Sequence, residues 1–111
     1  MESILTSIKK LLGIPEEDKN FDADIIMHIN SVFMILNQLG VGPSEGFRIE
    51  DDLATWEKFV DSDMNLDAVK SYMHLKIKML FDPPLNSSVT EAMRQQINEL
   101  EWRLNVEADS K

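Results

Sequence analysis

The chain contains no cysteine, and this absence excludes several kinds of structure and chemistry. A disulfide scaffold, a thiolate zinc site and a thiol nucleophile all need cysteine. Glycine is also scarce, with four residues among 111, and the chain has no glycine-rich phosphate-binding loop. These absences remove the most recognisable classes of metal-binding and nucleotide-binding proteins.

Basic residues are few, since eleven lysines and arginines face twenty acidic residues and give a net charge of −9. Nucleic-acid affinity rests largely on basic side chains that neutralise phosphates, so the balance argues against a protein that grips nucleic acid over its whole surface. No apolar run approaches the roughly 20 residues that span a bilayer, and we expect no membrane partner. The length and the 43% hydrophobic content predict one domain, residues 1–111, with a real core.

Helical periodicity predicts an all-α fold, a small helical domain of four main helices. Apolar residues recur at three- and four-residue spacing in residues 4–12, 25–39, 66–81 and 93–104. A brief amphipathic stretch near Trp56 predicts an additional short helical turn. Pro83 and Pro84 should end the third main helix.

Capping residues and turn residues mark the connections. Asn20 or Asp22 is available to cap the second main helix, and Ser88 with Glu91 has the spacing of a capping box for the last one. Residues 41–53 contain Gly42, Pro43 and Gly46 and favour a turn or a small hairpin. From about residue 106 we expect a flexible tail.

Catalytic and metal-binding patterns are missing from the sequence. His28 and His74 are the only histidines, lie on different predicted helices and have no metal-binding or triad spacing. Asp51 and Asp52 are adjacent, and no sequence rule makes them an acid and base pair. We therefore predict that the protein is not an enzyme, with no catalytic, metal or cofactor-binding residues and no cofactor. A small hydrolase would need a pocket with convergent carboxylates or His28 beside an acid.

Two features are candidates for partner binding. Lys70, His74 and Lys78 lie four residues apart and form a basic stripe, which either meets an acidic partner or DNA or is a solvated helix face. Trp102 lies one position off the apolar seam of the last helix, so it either marks an interface or widens the core face. Three methionines within helices, Met34, Met73 and Met79, are interpreted as core filler.

A resemblance to a known family is carried by most of the chain. It rests on FDADIIMHINSVFMILNQLGVGP at 21–43, TWEKFV at 55–60, VKSYMHLKIKMLFDPP at 69–84 and EAMRQQINELEWRLN at 91–105. These segments resemble the head-to-tail connector proteins of long-tailed bacteriophages and prophages, also called head-completion or adaptor proteins. The most specific part is LFDPP at 80–84 together with ELEWRLN at 99–105.

The resemblance implies a structural virion protein, assembled in the host cytoplasm and located in the neck of the virion. Such connectors form a ring of about twelve copies beneath the portal, join the DNA-filled head to the tail and extend the DNA channel. The implied partners are the portal protein, neighbouring copies of the chain, the next tail-side connector or stopper protein, and genomic DNA that passes without sequence-specific binding.

The resemblance also implies candidate interface residues. Trp102, Arg103 and Leu104 in the C-terminal helix would contact the portal. Phe47 and Ile49, in the turn-rich segment, would contact other subunits, the channel or the next ring.

A different class of function stays open beside this one. Residues 15–24 and 45–63 are both rich in acids, so the chain could instead be an acidic adaptor or inhibitor of a single protein partner. One-to-one binding to a basic partner would favour that alternative.

Overall fold

Five α-helices make up the regular structure of residues 2–60 and 65–109, which are the residues that this computed structural model describes. They are α1 (Ile4–Leu11), α2 (Asp22–Gln38), α3 (Trp56–Phe59), α4 (Leu66–Phe81) and α5 (Ser87–Asp109). No strand occurs in these two ranges, which confirms the all-α class and the short helical turn at Trp56. No helix within them is long and apolar enough to cross a membrane.

Helix α4 lies at the centre of the domain. Helices α1, α2 and α5 all pack against it. Helices α2 and α5 have little contact with each other, so they flank α4 on different sides. They approach each other near their C-terminal ends, where the Asn105 side chain donates a hydrogen bond to the carbonyl of Leu39 at 3.2 Å. The outer faces of α2 and α5 therefore belong to different edges of a flat domain of 39 × 36 × 19 Å.

The predicted hairpin in residues 41–53 does not form. The segment consists of turns and irregular backbone, and an isolated bridge pairs Ser3 with Thr55 beyond its end. A side chain takes the place of a partner strand. The Asn30 carboxamide donates to the carbonyl of Ile49 at 2.9 Å and accepts from its amide at 2.8 Å. Both backbone groups of this buried residue are thus satisfied without a ladder.

The predicted cap of the last helix is wrong by two residues. Asn86, not Ser88, is the capping residue, since its Oδ1 accepts from the amides of Ser88 at 2.8 Å and Val89 at 3.2 Å. Asparagine caps at least as well as serine, and one oxygen here satisfies two of the free amides of the first turn. The helix consequently begins at Ser87.

The start of α2 also differs from the prediction, because neither Asn20 nor Asp22 caps it. Asp22 is the first helical residue, and its carboxylate pairs with Lys9 at 2.8 Å. Lys9 is 2% exposed, and its ammonium also donates to the carbonyls of Glu16 at 3.0 Å and Asp18 at 2.6 Å. A buried lysine with three oxygen partners thus fastens the loop between α1 and α2.

The C-terminal segment differs from the expected flexible tail. Helix α5 continues to Asp109, so residues 106–109 are helical, and residues 110–111 of the expected tail lie outside the described residues. Ala108 packs against the core and lies close to Gly40 at the end of α2. Ala108 follows the buried Leu104 by one helical turn, which extends the core-facing side of the helix to this point.

Candidate functional site

The residues predicted to bind partners do not gather at one place. Trp102 and Arg103 lie on α5, the basic residues lie on α4, and Phe47 lies in the irregular segment between α2 and α3. In place of a single pocket, the structure presents several separate surfaces. Each is described from the elements that position it.

The first surface is the outer face of α5. Trp102 is 66% exposed, and Val106, one turn further along, is also exposed. Arg103 pairs with Glu99 beside it, with 2.8 Å between Nη2 and Oε1. The tryptophan therefore does not widen the core face, and the interface interpretation is the one that its exposure favours. A large exposed aromatic side chain is the residue type that most often anchors an interface.

Two of the predicted interface residues lie inside the domain. Leu104 is on the core side of α5, and Ile49 is held inward by its hydrogen bonds to Asn30. Both are almost fully buried. They are excluded from direct contact with a partner while this fold is intact. Phe47, in contrast, is half-buried and borders open space.

The basic stripe on α4 is largely engaged by the chain itself. Lys78 forms an ion pair with Asp82 at 2.7 Å, and the Lys70 ammonium lies 5.3 Å from the ring centroid of Trp56. Burial lowers the pKa of His74, the nearby charge of Lys78 lowers it further, and a backbone hydrogen bond at Leu11 opposes both. The stripe thus has contacts within the chain, and its binding to an acidic partner or DNA stays a prediction.

The requirements of a hydrolase can be checked against the geometry. His28 faces the ring of Phe81, with 6.4 Å between centroids, and no acid is paired with it in the ranges described. Asp51 uses its carboxylate to accept the amide of Leu53 at 2.9 Å. Residues 2–60 and 65–109 hold no group of three histidines or acids that could bind a metal ion. Nothing in this arrangement favours the hydrolase hypothesis.

The second surface was missed by the sequence reasoning. A groove of about 650 Å³ runs between the outer face of α2 and residues 45–48. Met27 and Met34, two turns apart, are 57% and 60% exposed along it, and Phe47 forms part of the opposite wall. The interpretation as core filler is wrong for Met34, whereas Met73 is fully buried and Met79 packs against the core. The sequence signal was the seven-residue spacing of these methionines, offset from the Ile25, Ile29 and Val32 stripe that faces the core.

The groove wall is held in place by the contacts that organise the fold. The paired hydrogen bonds between Asn30 and Ile49 fix residues 45–49 against α2. The Phe47 ring packs edge-on against Phe33 at 5.1 Å and Phe59 at 5.4 Å. This surface is therefore preformed rather than the result of a mobile loop.

Comparison with known proteins supplies the family. A family model described as phage connector protein matches residues 4–111, which span all five helices. The chain belongs to the phage connector protein family. No curated protein and no solved structure gives a significant match.

Membership confirms the resemblance carried by the segments between residues 21 and 105. The phage connector family is a family of structural proteins and is not known as enzymatic. The family places this connector in the neck of the virion, between portal and tail proteins. Exposed apolar side chains on a small helical connector are therefore candidates for contacts with other proteins.

Proposed function

We propose that this connector forms a ring of about twelve copies beneath the portal, joins the DNA-filled head to the tail and extends the DNA channel. The observation that carries the proposal is the family match across residues 4–111. The domain is small, so each copy offers only a limited contact area. Ring closure compensates, because many weak contacts act together in one assembly.

The portal contact is assigned to the outer face of α5. Trp102 supplies a large apolar surface, and the Glu99–Arg103 ion pair beside it supplies polar contacts at the rim. Truncation of a tryptophan at the centre of an interface typically costs 2 kcal/mol or more, which is about a 30-fold loss of affinity. Trp102→Ala should therefore release the connector from the portal at concentrations where the wild type is bound.

Passage of DNA fits the charge of the chain. The net charge is −9, and Glu50, Asp51 and Asp52 form an exposed acidic run in the segment before α3. A channel wall of like charge repels the phosphates and does not retain the DNA as it moves. The next tail-side connector or stopper protein would bind the face of the ring opposite the portal.

The test is a native-mass measurement by light scattering, with and without the purified portal ring of the same phage, together with negative-stain images. About a dozen subunits stacked on the portal would support the proposal. Trp102→Ala is compared with Leu53→Ala, which removes a similarly exposed apolar side chain from another part of the chain. Loss of binding in both variants would contradict the α5 assignment.

Two other outcomes would overturn the proposal itself. If the protein does not bind a well-formed portal, either alone or within a packaged head, the proposed connector ring is wrong. One-to-one binding to a basic protein would instead support the acidic adaptor or inhibitor.

A further inference from the structure

The corner between α4 and α5 presents an apolar side chain that the domain does not cover. Leu85 is fully exposed, with a relative exposure of 105%, and Val89, one turn into α5, is 48% exposed. In many helices a hydrophobic residue before the cap packs against the fourth helical residue. Here that position holds Thr90, so Leu85 has no such apolar contact within its own helix start.

The same corner is held rigidly. The Thr90 hydroxyl lies within hydrogen-bond distance of the carbonyls of Pro84 at 3.2 Å and Asn86 at 3.1 Å, and Asn86 caps the helix. Pro83 and Pro84 restrict the backbone that leads into it. The backbone of such a corner loses little conformational freedom when a partner covers Leu85. We call Leu85 with Val89 the corner knob.

The α2 groove described above has the complementary character. Its exposed methionines adapt to the shape of an inserted apolar group, and Phe47 closes one side. The groove is large enough to accept the corner knob. Charged residues accompany both surfaces, since Glu45 and Arg48 line the groove, and Glu91 and Arg94 follow the knob near the start of α5.

These charged groups are weakly engaged within the chain. Arg48 forms no ion pair in the part of the chain that the structure describes, and Glu91 and Arg94 are 4.0 Å apart. Each surface thus carries one acid and one base. The acid of either surface can pair with the base of the other. Opposite charges at a rim set the register of a contact more than its strength.

We propose that connector copies bind one another head to tail, with the corner knob of one copy in the α2 groove of the next. The contact joins two different surfaces, so it is heterologous and propagates from copy to copy until a ring closes. A standard interface covers about 800 Å² on each partner, about an eighth of the 6627 Å² surface of this chain. The knob and the groove form the centre of such a contact, and the charged residues belong to its rim.

The inference rests on the proposed ring and assigns the contact between neighbouring copies in it. The residues of this contact differ from those of the portal contact. The absence of cysteine makes a thiol test specific. The double variant Leu85→Cys with Met34→Cys, oxidised in the presence of the portal ring, should give a ladder of covalent oligomers on a non-reducing gel. A ladder beyond the dimer requires that each copy is linked through two different surfaces.

The matched control replaces the knob position by another exposed position on α5. Gln95→Cys with Met34→Cys should give no ladder. Each single variant has one thiol per copy, so it can form no oligomer larger than a covalent dimer. If the wild-type connector assembles on the portal and the Leu85/Met34 pair gives no ladder, this inference is wrong and the proposed function stands. If the wild type does not assemble on the portal, the proposed function fails and the lateral contact fails with it.

A second measurement avoids any covalent link. Leu85→Ser removes the apolar knob from a position that contributes nothing to the core, so the fold is retained. We expect self-association to weaken by at least about tenfold, while single copies still bind the portal through α5. Leu53→Ser, which changes another exposed leucine (75% exposed) in a different segment, should leave assembly unchanged. Equal assembly of the Leu85→Ser variant and the wild type would overturn the assignment.

Discussion

Replacing Gly42 by alanine should destabilise the domain far more than the same change at Gly46. Both glycines have left-handed backbones, with φ of +90° and +89°. They differ in their surroundings. A Cβ at Gly42 would lie 2.5 Å from Cε1 and 2.9 Å from Cζ of Phe59, whereas a Cβ at Gly46 would meet nothing within 4 Å. The pair therefore separates backbone strain from a steric clash.

The magnitude follows from these two terms. A left-handed backbone costs an L residue roughly 1–2 kcal/mol, and this term applies to both variants. Phe59 is buried and its ring lies 4.8 Å from Phe33 and 5.4 Å from Phe47, so it cannot move away without displacing them. Forcing extra volume into a packed core costs about 1–3 kcal/mol more. Gly42→Ala should then lose about 2–5 kcal/mol and Gly46→Ala about 1–2 kcal/mol.

Urea unfolding followed by tryptophan fluorescence measures the difference, because Trp56 is fully buried and reports on core opening. With a urea m-value of about 1–3 kcal/mol/M, the two midpoints should differ by about 1 M. The reduced entropy of the unfolded chain, which any glycine-to-alanine change produces, cancels between the variants. Midpoints that agree within about 0.3 M at equal m-values would refute the steric reasoning.

Three further changes test individual contacts. Asn30→Ala should lower the free energy of unfolding by about 2–3 kcal/mol in urea, because both backbone groups of Ile49 lose their partner; a loss below about 0.5 kcal/mol would contradict this. Lys9→Met removes the ammonium that contacts the Asp22 carboxylate and two carbonyls, and it should lower the free energy of unfolding by about 3 kcal/mol, seen as a lower Tm. An unchanged Tm would contradict the role of Lys9 in fastening the loop between α1 and α2. Acidification below about pH 6.5 should reduce stability through His74, whose folded pKa lies below its unfolded value, so the unfolded state binds more protons. His74→Gln should flatten this dependence of Tm on pH, and an unchanged slope would assign the effect to other groups.

The helices were predictable because their signals are local. Apolar spacing and the two prolines predicted residues 66–81 for the third main helix, and α4 has those bounds. The cap of α5 was harder, since Asn86 and Ser88 are both good capping residues. Local rules thus predict that a helix begins here but not the residue that caps it.

Contacts that depend on distant parts of the chain were not predictable. Lys9 and Lys10 are identical neighbours at the end of α1, and both suit a helix C-terminus. The structure buries the Lys9 side chain at 3% exposure and leaves that of Lys10 at 72%. The difference arises because the following loop folds back over one of them. The same limitation applies to Met34, whose exposure depends on where residues 41–53 lie.

Some of the proposed contact residues also stabilise the fold of this connector, and others do not. Mutations of the second kind can change assembly without changing stability. The groove wall uses Asn30 and Phe47, which also pack or fasten the core, so changes there should reduce folding and assembly together. Leu85 and Trp102 contribute exposed side chains and no core contact of comparable size. Changes at these two positions should therefore alter assembly at constant Tm, and a variant that lowers both would indicate an effect on the fold rather than on a contact surface.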